Sequence, residues 1–169
     1  MLSSELKTAI FKSIPKQLDE INVCVEYSDR CNVSHKLKEY PVVVTLRYFG
    51  ARTDKSRTPV NHIIGVEKTD DEIVYTKGEY QQVTLSINVY AADSSGRKAT
   101  DIIDDYMQQL QLWVLRDLPE LVEVVDKTGV TDLSFLDTAE RRNMDIILRN
   151  SVVYLQNISK SSEVNFKIN

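Results

Sequence analysis

Residues that commonly carry chemistry or special backbone geometry are scarce in this 169-residue chain. It has two cysteines, two histidines, five glycines and four prolines. This composition excludes a disulfide scaffold and a Gly/Pro-rich low-complexity linker. No stretch approaches the ~18 consecutive apolar residues of a membrane span. With 42% hydrophobic and 27% charged residues, the chain has an ordinary globular composition, and its length suits a single domain over residues 1–169.

The few potential catalytic or metal-binding residues do not form a recognisable motif. His35 lies in a polar segment, whereas His62 lies in an alternating one. Cys24, Cys31 and His35 are close in sequence, but their spacing matches no common zinc pattern. Ser4 and Lys7 match S-x-x-K by letters only, because no partner motif follows. The sequence therefore predicts no enzyme activity, no cofactor and no metal site.

The charge balance is mildly acidic, with a net charge of -4 and a pI of about 5.3. A general nucleic-acid binder would carry a basic face, so this balance disfavours that class. The widest basic spread consists of Arg47, Arg52, Lys55 and Arg57. It is interpreted either as a solvated loop or as a local contact with DNA or an acidic partner. The N-terminus does not resemble a signal peptide, so we expect a soluble protein made in the cytosol with reduced cysteines.

The first half of the chain alternates between apolar periodicity and polar segments. Ser3 or Ser4 can cap a helix over residues 3–12. Strands are predicted at 21–27 and 42–49, with a polar loop at 28–38 between them. Residues 50–59 are charged and have no apolar anchor, which predicts a mobile loop.

A continuous run of elements follows, from residue 72 to residue 149. It is predicted to start with a β-hairpin over 72–91 that turns at Lys77-Gly78. An amphipathic helix over about 97–118 follows, and its apolar stripe matches the apolar face of the hairpin. The two matching sets are Val83, Leu85, Ile87 and Val89 in the strand, and Ile103, Tyr106, Leu110 and Trp113 in the helix. The predicted fold class is α+β: an antiparallel or mixed sheet with one long helix on its apolar face and an N-terminal helix.

A charged cluster precedes the last long strand. Glu140, Arg141 and Arg142 come immediately before the alternating residues Met144 to Leu148, which places their charges at one end of the sheet. Two interpretations stay open for this cluster, namely an ion pair within the chain and a contact between subunits.

The same run resembles the phage tail terminator, or tail completion, proteins, especially the neck type of contractile and long-tailed phages. The residues that carry the resemblance are GEYQQVTLSINVYAADSSG (78–96), RKATDIIDDYMQQLQLWV (97–114) and TDLSFLDTAERRNMDIILR (131–149). Asp132, Leu133, Ser134 and Leu136, followed by Arg141, Arg142 and Asp145, are similar to the loop-to-strand pattern of that family.

The resemblance implies a virion structural protein without catalytic residues. It implies a homo-oligomeric ring, usually hexameric, that caps the tail tube and then receives head completion proteins. The expected partners are other copies of the chain, tail tube or sheath proteins and head completion proteins, with no membrane and no specific nucleic acid. Arg47, Arg52, Lys55, Arg57, Glu140, Arg141 and Arg142 are the predicted subunit or partner contacts. The expected location is the virion tail or neck, after assembly in the host cytoplasm.

Other functions stay open at this point. The chain could be another contractile-tail component, such as a baseplate or tube-associated protein. A small enzyme or ligand-binding α+β domain, or a nucleic-acid-binding accessory protein, is the alternative from a different class. A ring in electron micrographs would favour a tail component. A monomer with a deep apolar pocket would favour an enzyme or a ligand-binding domain.

Overall fold

A computed structural model describes residues 2–54, 62–69, 72–133 and 139–159. The helices are α1 (Ser4–Ser13), α2 (Val33–Lys36) and α3 (Ala99–Arg116), and a 3-10 turn (Leu118–Glu120) follows α3. The strands are β1 (Gln17–Leu18), β2 (Ile21–Tyr27), β3 (Val42–Tyr48), β4 (Arg52–Thr53), β5 (His62–Lys68), β6 (Glu72–Ala91), β7 (Glu123–Lys127), β8 (Thr131–Asp132) and β9 (Glu140–Ser159). The predicted N-terminal helix, long helix and last strand are therefore confirmed.

The described strands form a mixed sheet in the order β1-β2-β3-β6-β9-β7. Strands β4 and β5 also pair with β6, and β8 pairs with β9. Strand β2 runs parallel to β3, whereas β3 and β5 run antiparallel to β6. The fold class is α+β, as the sequence predicted.

The chain groups into two compact units. The first contains Met1–Arg52 and Gln82–Asn150, and the second contains the described residues of Thr53–Gln81 and Ser151–Asn169. Strands β6 and β9 each contribute residues to both units. The single-domain organisation expected from chain length stays a prediction.

The core of the first unit lies between α3 and the sheet. Alternate residues of a half-buried strand point to the same face, so one set from each central strand faces the helix. The helix contributes every third or fourth residue to the same cluster. The members include Val42, Val44, Leu46, Val83, Leu85, Ile87, Val89, Met144, Ile146 and Leu148 from the sheet, and Ile102, Ile103, Tyr106, Leu110, Trp113 and Val114 from α3.

A tight turn separates β6 from α3. Ser94 and Arg97 exchange two backbone hydrogen bonds, at 3.1 and 2.8 Å. The central residues of the turn have positive φ angles, 51° at Ser95 and 77° at Gly96. Glycine adopts such angles without steric cost, which explains why Gly96 occupies this position.

The predicted turn at Lys77-Gly78 is wrong, because β6 continues without interruption from Glu72 to Ala91. Gly78 has a different role. A Cβ atom at this position would lie 2.0 Å from the carbonyl oxygen of Val152 and 2.9 Å from the Cα atom of Val153. The glycine therefore permits close approach of two backbones, the other common reason for glycine inside a strand.

Two polar segments are also more ordered than predicted. The segment 28–38 contains α2, whose first turn is capped by a hydrogen bond from the His35 backbone N–H to the Asn32 side-chain oxygen, at 3.1 Å. Within the predicted mobile loop 50–59, Arg52–Thr53 form β4. Asp54 is only 2% exposed, and its backbone N–H donates to the Tyr80 carbonyl at 2.8 Å. The rest of that loop, 55–59, lies outside the described residues.

Candidate assembly surfaces

The two arginines before the last strand make contacts within their own chain. The Arg142 side chain is 13% exposed, and its guanidinium lies 2.7 Å from Asp132, 3.1 Å from Glu140 and 3.7 Å from Asp104. Nη1 of this guanidinium donates hydrogen bonds to Asp132 and Glu140, and the Asp104 carboxylate adds a longer ionic contact. Arg142 and Glu140 therefore form an intrachain ion network, which is one of the two interpretations that the sequence left open.

Arg141 lies against β6 in the same unit. Its guanidinium donates to the Asn88 side-chain oxygen at 2.8 and 3.3 Å and lies 5.4 Å from the centre of the Tyr90 ring. Asn143 donates to Ser86 and to Asn88, at 3.1 and 3.3 Å. These contacts pair β9 with β6 on the face opposite the apolar cluster. A subunit contact by Arg141 stays a prediction.

Of the four basic residues predicted as contacts near residue 50, two lie in the described part of the chain. Arg47 and Arg52 are both exposed. The Arg47 guanidinium lies 5.1 Å from the centre of the Phe49 ring, which is itself 44% exposed. Lys55 and Arg57 lie outside the described residues. Arg47 and Phe49 thus present a cation and an aromatic ring together on the surface, a combination that often contacts partners.

A cleft with a volume of about 590 Å³ opens beside Arg47. Its lining contains three cationic side chains and one carboxylate, so it suits an anionic group better than a cation. The Tyr48 hydroxyl is buried there and has no hydrogen-bond partner among the described groups, and the Lys7 ammonium lies 5.2 Å from the centre of the Tyr48 ring. The lining residues are Lys7, Tyr27, Ser28, Asp29, Arg30, Leu46, Arg47 and Tyr48.

The cysteines are half-buried and free. Burial, with Glu26 and the second thiol nearby, raises the pKa of Cys31 to about 11. Burial also raises the pKa of Cys24. A thiol with a raised pKa stays protonated at neutral pH and is a poor nucleophile and metal ligand. Within the described part of the chain, no group of three or more His, Cys, Asp or Glu side chains is arranged to hold a metal ion.

Five of the twelve large apolar side chains that are exposed among the described residues belong to the second unit. Ile63 and Val66 of β5 are about half exposed, as are Val152 and Val153 of β9, and Leu155 is 69% exposed. None of the described helices belongs to this unit. The sequence analysis missed this surface. The available signal was the run Val152 to Leu155, where apolar residues occupy consecutive positions instead of alternating with polar ones.

The first unit also exposes apolar side chains, two of them on α3. Leu112 and Leu115 are 60% and 66% exposed and lie three residues apart, so they share one side of the helix.

None of the described helices has the length and hydropathy that crossing a membrane requires. Comparison with protein-family models and with curated proteins finds no match for this chain.

Proposed function

We propose that this chain is a structural subunit of a viral tail, a terminator or neck protein that forms a homo-oligomeric ring on the end of the tail tube. The resemblance of residues 78–114 and 131–149 to tail terminator proteins supports this proposal. The observation that carries the proposal is the second unit, whose described sheet exposes apolar side chains on two different strands. Exposed apolar side chains on two strands of one unit are expected to be buried in an assembly, because removing apolar surface from water drives association.

The exposed side chains are also distributed as a ring requires. Contacts around a ring are heterologous, so each subunit needs two different surfaces that fit each other. Ile63 and Val66 lie on β5, whereas Val152, Val153 and Leu155 lie on β9. One strand can therefore contact the subunit on the left while the other contacts the subunit on the right.

The energies favour a ring over an isolated dimer. Complete burial of an exposed aliphatic side chain contributes about 1.5–3 kcal/mol, and these side chains are already about half buried. Five of them contribute a few kcal/mol, which is close to the lower limit of the ~4–15 kcal/mol that association costs. A ring uses the same contact on both sides of each subunit, so closure strengthens a contact that would be weak in a pair.

The intrachain network around Arg142 changes the role proposed for the residues at the start of β9. Glu140 and Arg142 hold that end of the strand to α3 and β8, so we assign them to the stability of the subunit. Arg47 keeps its place as a proposed contact with a neighbouring subunit, the tail tube or a head completion protein, because it is exposed beside Phe49.

The oligomeric state of the purified protein tests this proposal. We expect light scattering after size exclusion to give a mass several times that of the chain, and negative-stain images to show closed rings. The double variant Val66→Lys/Leu155→Lys should lose the rings, since it adds charges on both strands. Leu115→Lys is the matched control, because Leu115 is as exposed as Leu155 but lies on α3. A monomeric parent protein would contradict the proposal.

Binding to tail tubes separates a terminator from other tail components. Tubes from the virus that encodes the chain are sedimented with the purified protein and imaged. A terminator should be found at one end of each tube and should stop further tube growth. Binding along the tube, or to a baseplate, would favour the alternative of another contractile-tail protein.

A further inference from the structure

The described part of the second unit has two strand edges without a partner strand. Strand β6 lies in the middle, with β5 paired to it along Ile73–Gly78. Strand β9 also pairs with β6, and its Val152 backbone lies against Gly78. Among the described residues, no strand pairs with the outer side of β5 or with the outer side of Ser151–Ser159. Each edge is a row of backbone donors and acceptors, which a further strand can use.

The β9 edge lacks the usual protection against such pairing. Natural edge strands carry lysines, prolines or bulges, or are very short. The segment Ser151–Ser159 is nine residues long and contains no charged residue and no proline. Strand β5 is partly protected, because it ends in Glu67 and Lys68 and has a register shift between Ile63 and Gly65. The β9 edge therefore has the composition of a strand that is paired in the functional state, and β5 exposes the apolar side chains Ile63 and Val66 to a partner strand.

The directions of the strands determine how two copies can combine. Strand β5 is antiparallel to β6. Strand β9 is also antiparallel to β6, because Arg141 contacts Asn88 whereas Val152 contacts Gly78. Strands β5 and β9 therefore run in the same direction on opposite sides of β6. A rotation about an axis along the strands places β5 of one copy beside β9 of the next copy, with both strands parallel.

We propose that β5 of one subunit pairs in parallel with residues 151–159 of β9 in the next subunit, so that the sheet continues across each subunit boundary. This inference rests on the proposed ring function and specifies its contact. Each subunit uses one β5 edge and one β9 edge, so a closed ring leaves neither edge unpaired. The second copy of the chain fits this role because the two edges, of seven and nine residues, both expose apolar side chains and run in the same direction.

Engineered cysteines test the contact directly. Within one chain, β6 separates β5 from β9, so their backbones lie about two strand spacings, or roughly 9–10 Å, apart. A disulfide requires Cα atoms within about 7 Å, so a β5–β9 disulfide can form only between copies. The experiment uses a chain carrying Cys24→Ser and Cys31→Ser, mild oxidation and non-reducing gels.

The register of the unit selects the positions. Ile63 pairs with Lys77, next to Gly78, so it is level with Val152 and Val153. Val66 pairs with Tyr75 and lies further along β5, level with Leu155 and Gln156. Ile63→Cys is combined with Val152→Cys or Val153→Cys, and Val66→Cys with Leu155→Cys or Gln156→Cys. Both neighbours are tested at each level because adjacent residues of a strand point to opposite faces.

We expect at least one combination at each level to convert the monomer band into a ladder of covalent oligomers. The swapped combinations, Ile63→Cys with Leu155→Cys and Val66→Cys with Val152→Cys, should leave the monomer band unchanged. Val66→Cys with Leu115→Cys is the control, because Leu115 is exposed but lies on α3. Equal cross-linking of that control would overturn the proposal by indicating random collisions.

Two further outcomes separate this proposal from the ring itself. Rings in the micrographs without any level-matched cross-link would overturn the edge pairing and leave the proposed function intact. Cross-links only in the swapped combinations would overturn the parallel arrangement. A protein that stays monomeric in light scattering would contradict the proposed function and this contact together.

Discussion

The indole Nε1 of Trp113 donates a hydrogen bond to the Ser13 hydroxyl at 3.1 Å. This bond joins α3 to the last residue of α1, across 100 positions of the sequence. Trp113 is only 1% exposed and belongs to the apolar cluster of the first unit. A buried Trp needs a partner for its N–H group, so Ser13 satisfies the polar end of the side chain that the helix packs on the sheet.

Trp113→Ala should lower the free energy of unfolding by ~3–5 kcal/mol, because it removes a large buried side chain and leaves a cavity. Denaturant unfolding followed by circular dichroism measures the difference. Leu112→Ala is the matched control, since Leu112 is the preceding residue of α3 and is 60% exposed. It should change the stability little. Equal losses for the two variants would contradict the packing of α3 described above.

Tyr106→Phe tests a second hydrogen bond from α3, to the residues that follow α1. The Tyr106 hydroxyl donates to the Pro15 carbonyl at 2.7 Å, and the residue is fully buried. Burial also raises the pKa of this phenol above its ordinary value, so it stays protonated and able to donate. Loss of the bond should cost about 0.5–1.5 kcal/mol. Denaturant unfolding at neutral pH checks this value, and an unchanged midpoint would contradict the proposed contribution.

Gly78→Ala should destabilise the second unit, because the added methyl group would meet the Val152 backbone at 2.0 Å. Overpacking of this kind typically costs ~1–3 kcal/mol. Gly65→Ala is the control in the same unit, since its methyl group would find the Thr76 side chain at an ordinary 3.6 Å. Hydrogen exchange of β6 and β9 should accelerate in the first variant only. Normal protection in Gly78→Ala would argue against the close approach of these strands.

Asp93 should make the stability of α3 depend on pH. Its side chain accepts a hydrogen bond from the Ala99 backbone N–H at 2.7 Å, and this bond, with the nearby Lys98, lowers the pKa of Asp93. A carboxyl group with a lowered folded-state pKa stabilises the fold above its unfolded pKa of about 3.9. That contribution is lost as pH falls through the folded-state value.

Thermal melting at several pH values checks the Asp93 prediction. Asp93→Ala should melt below the parent protein at pH 7, and the two melting temperatures should converge as the pH falls below about 3.9. Lys98→Ala is the control, because it removes the weaker ionic contact and keeps the backbone bond. A difference between Asp93→Ala and the parent that does not change with pH would contradict the role of the carboxylate.

Local periodicity was sufficient to predict the packing of α3 on β6 in the first unit. Val83 to Val89 alternate, and the stripe of α3 repeats every three to four residues, so each element has one apolar face that must be buried against the other. The class α+β and burial of Trp113 follow from those patterns. Ser3 was also predictable as a cap of α1, because its hydroxyl needs only the nearby Leu6 backbone N–H, at 3.1 Å.

The tertiary structure decided the features that depend on residues distant in sequence. Gly78 has the local signature of a turn, but the Val152 backbone, over 70 positions away, gives it a place inside a straight strand. Arg142 was compatible with a subunit contact until the fold brought Asp104 and Asp132 to it. Among the described strands, the position of β5 and β9 at edges follows from sheet order alone. Alternation determines which face of a strand is apolar, whereas only the assembled sheet determines which strands end at an edge.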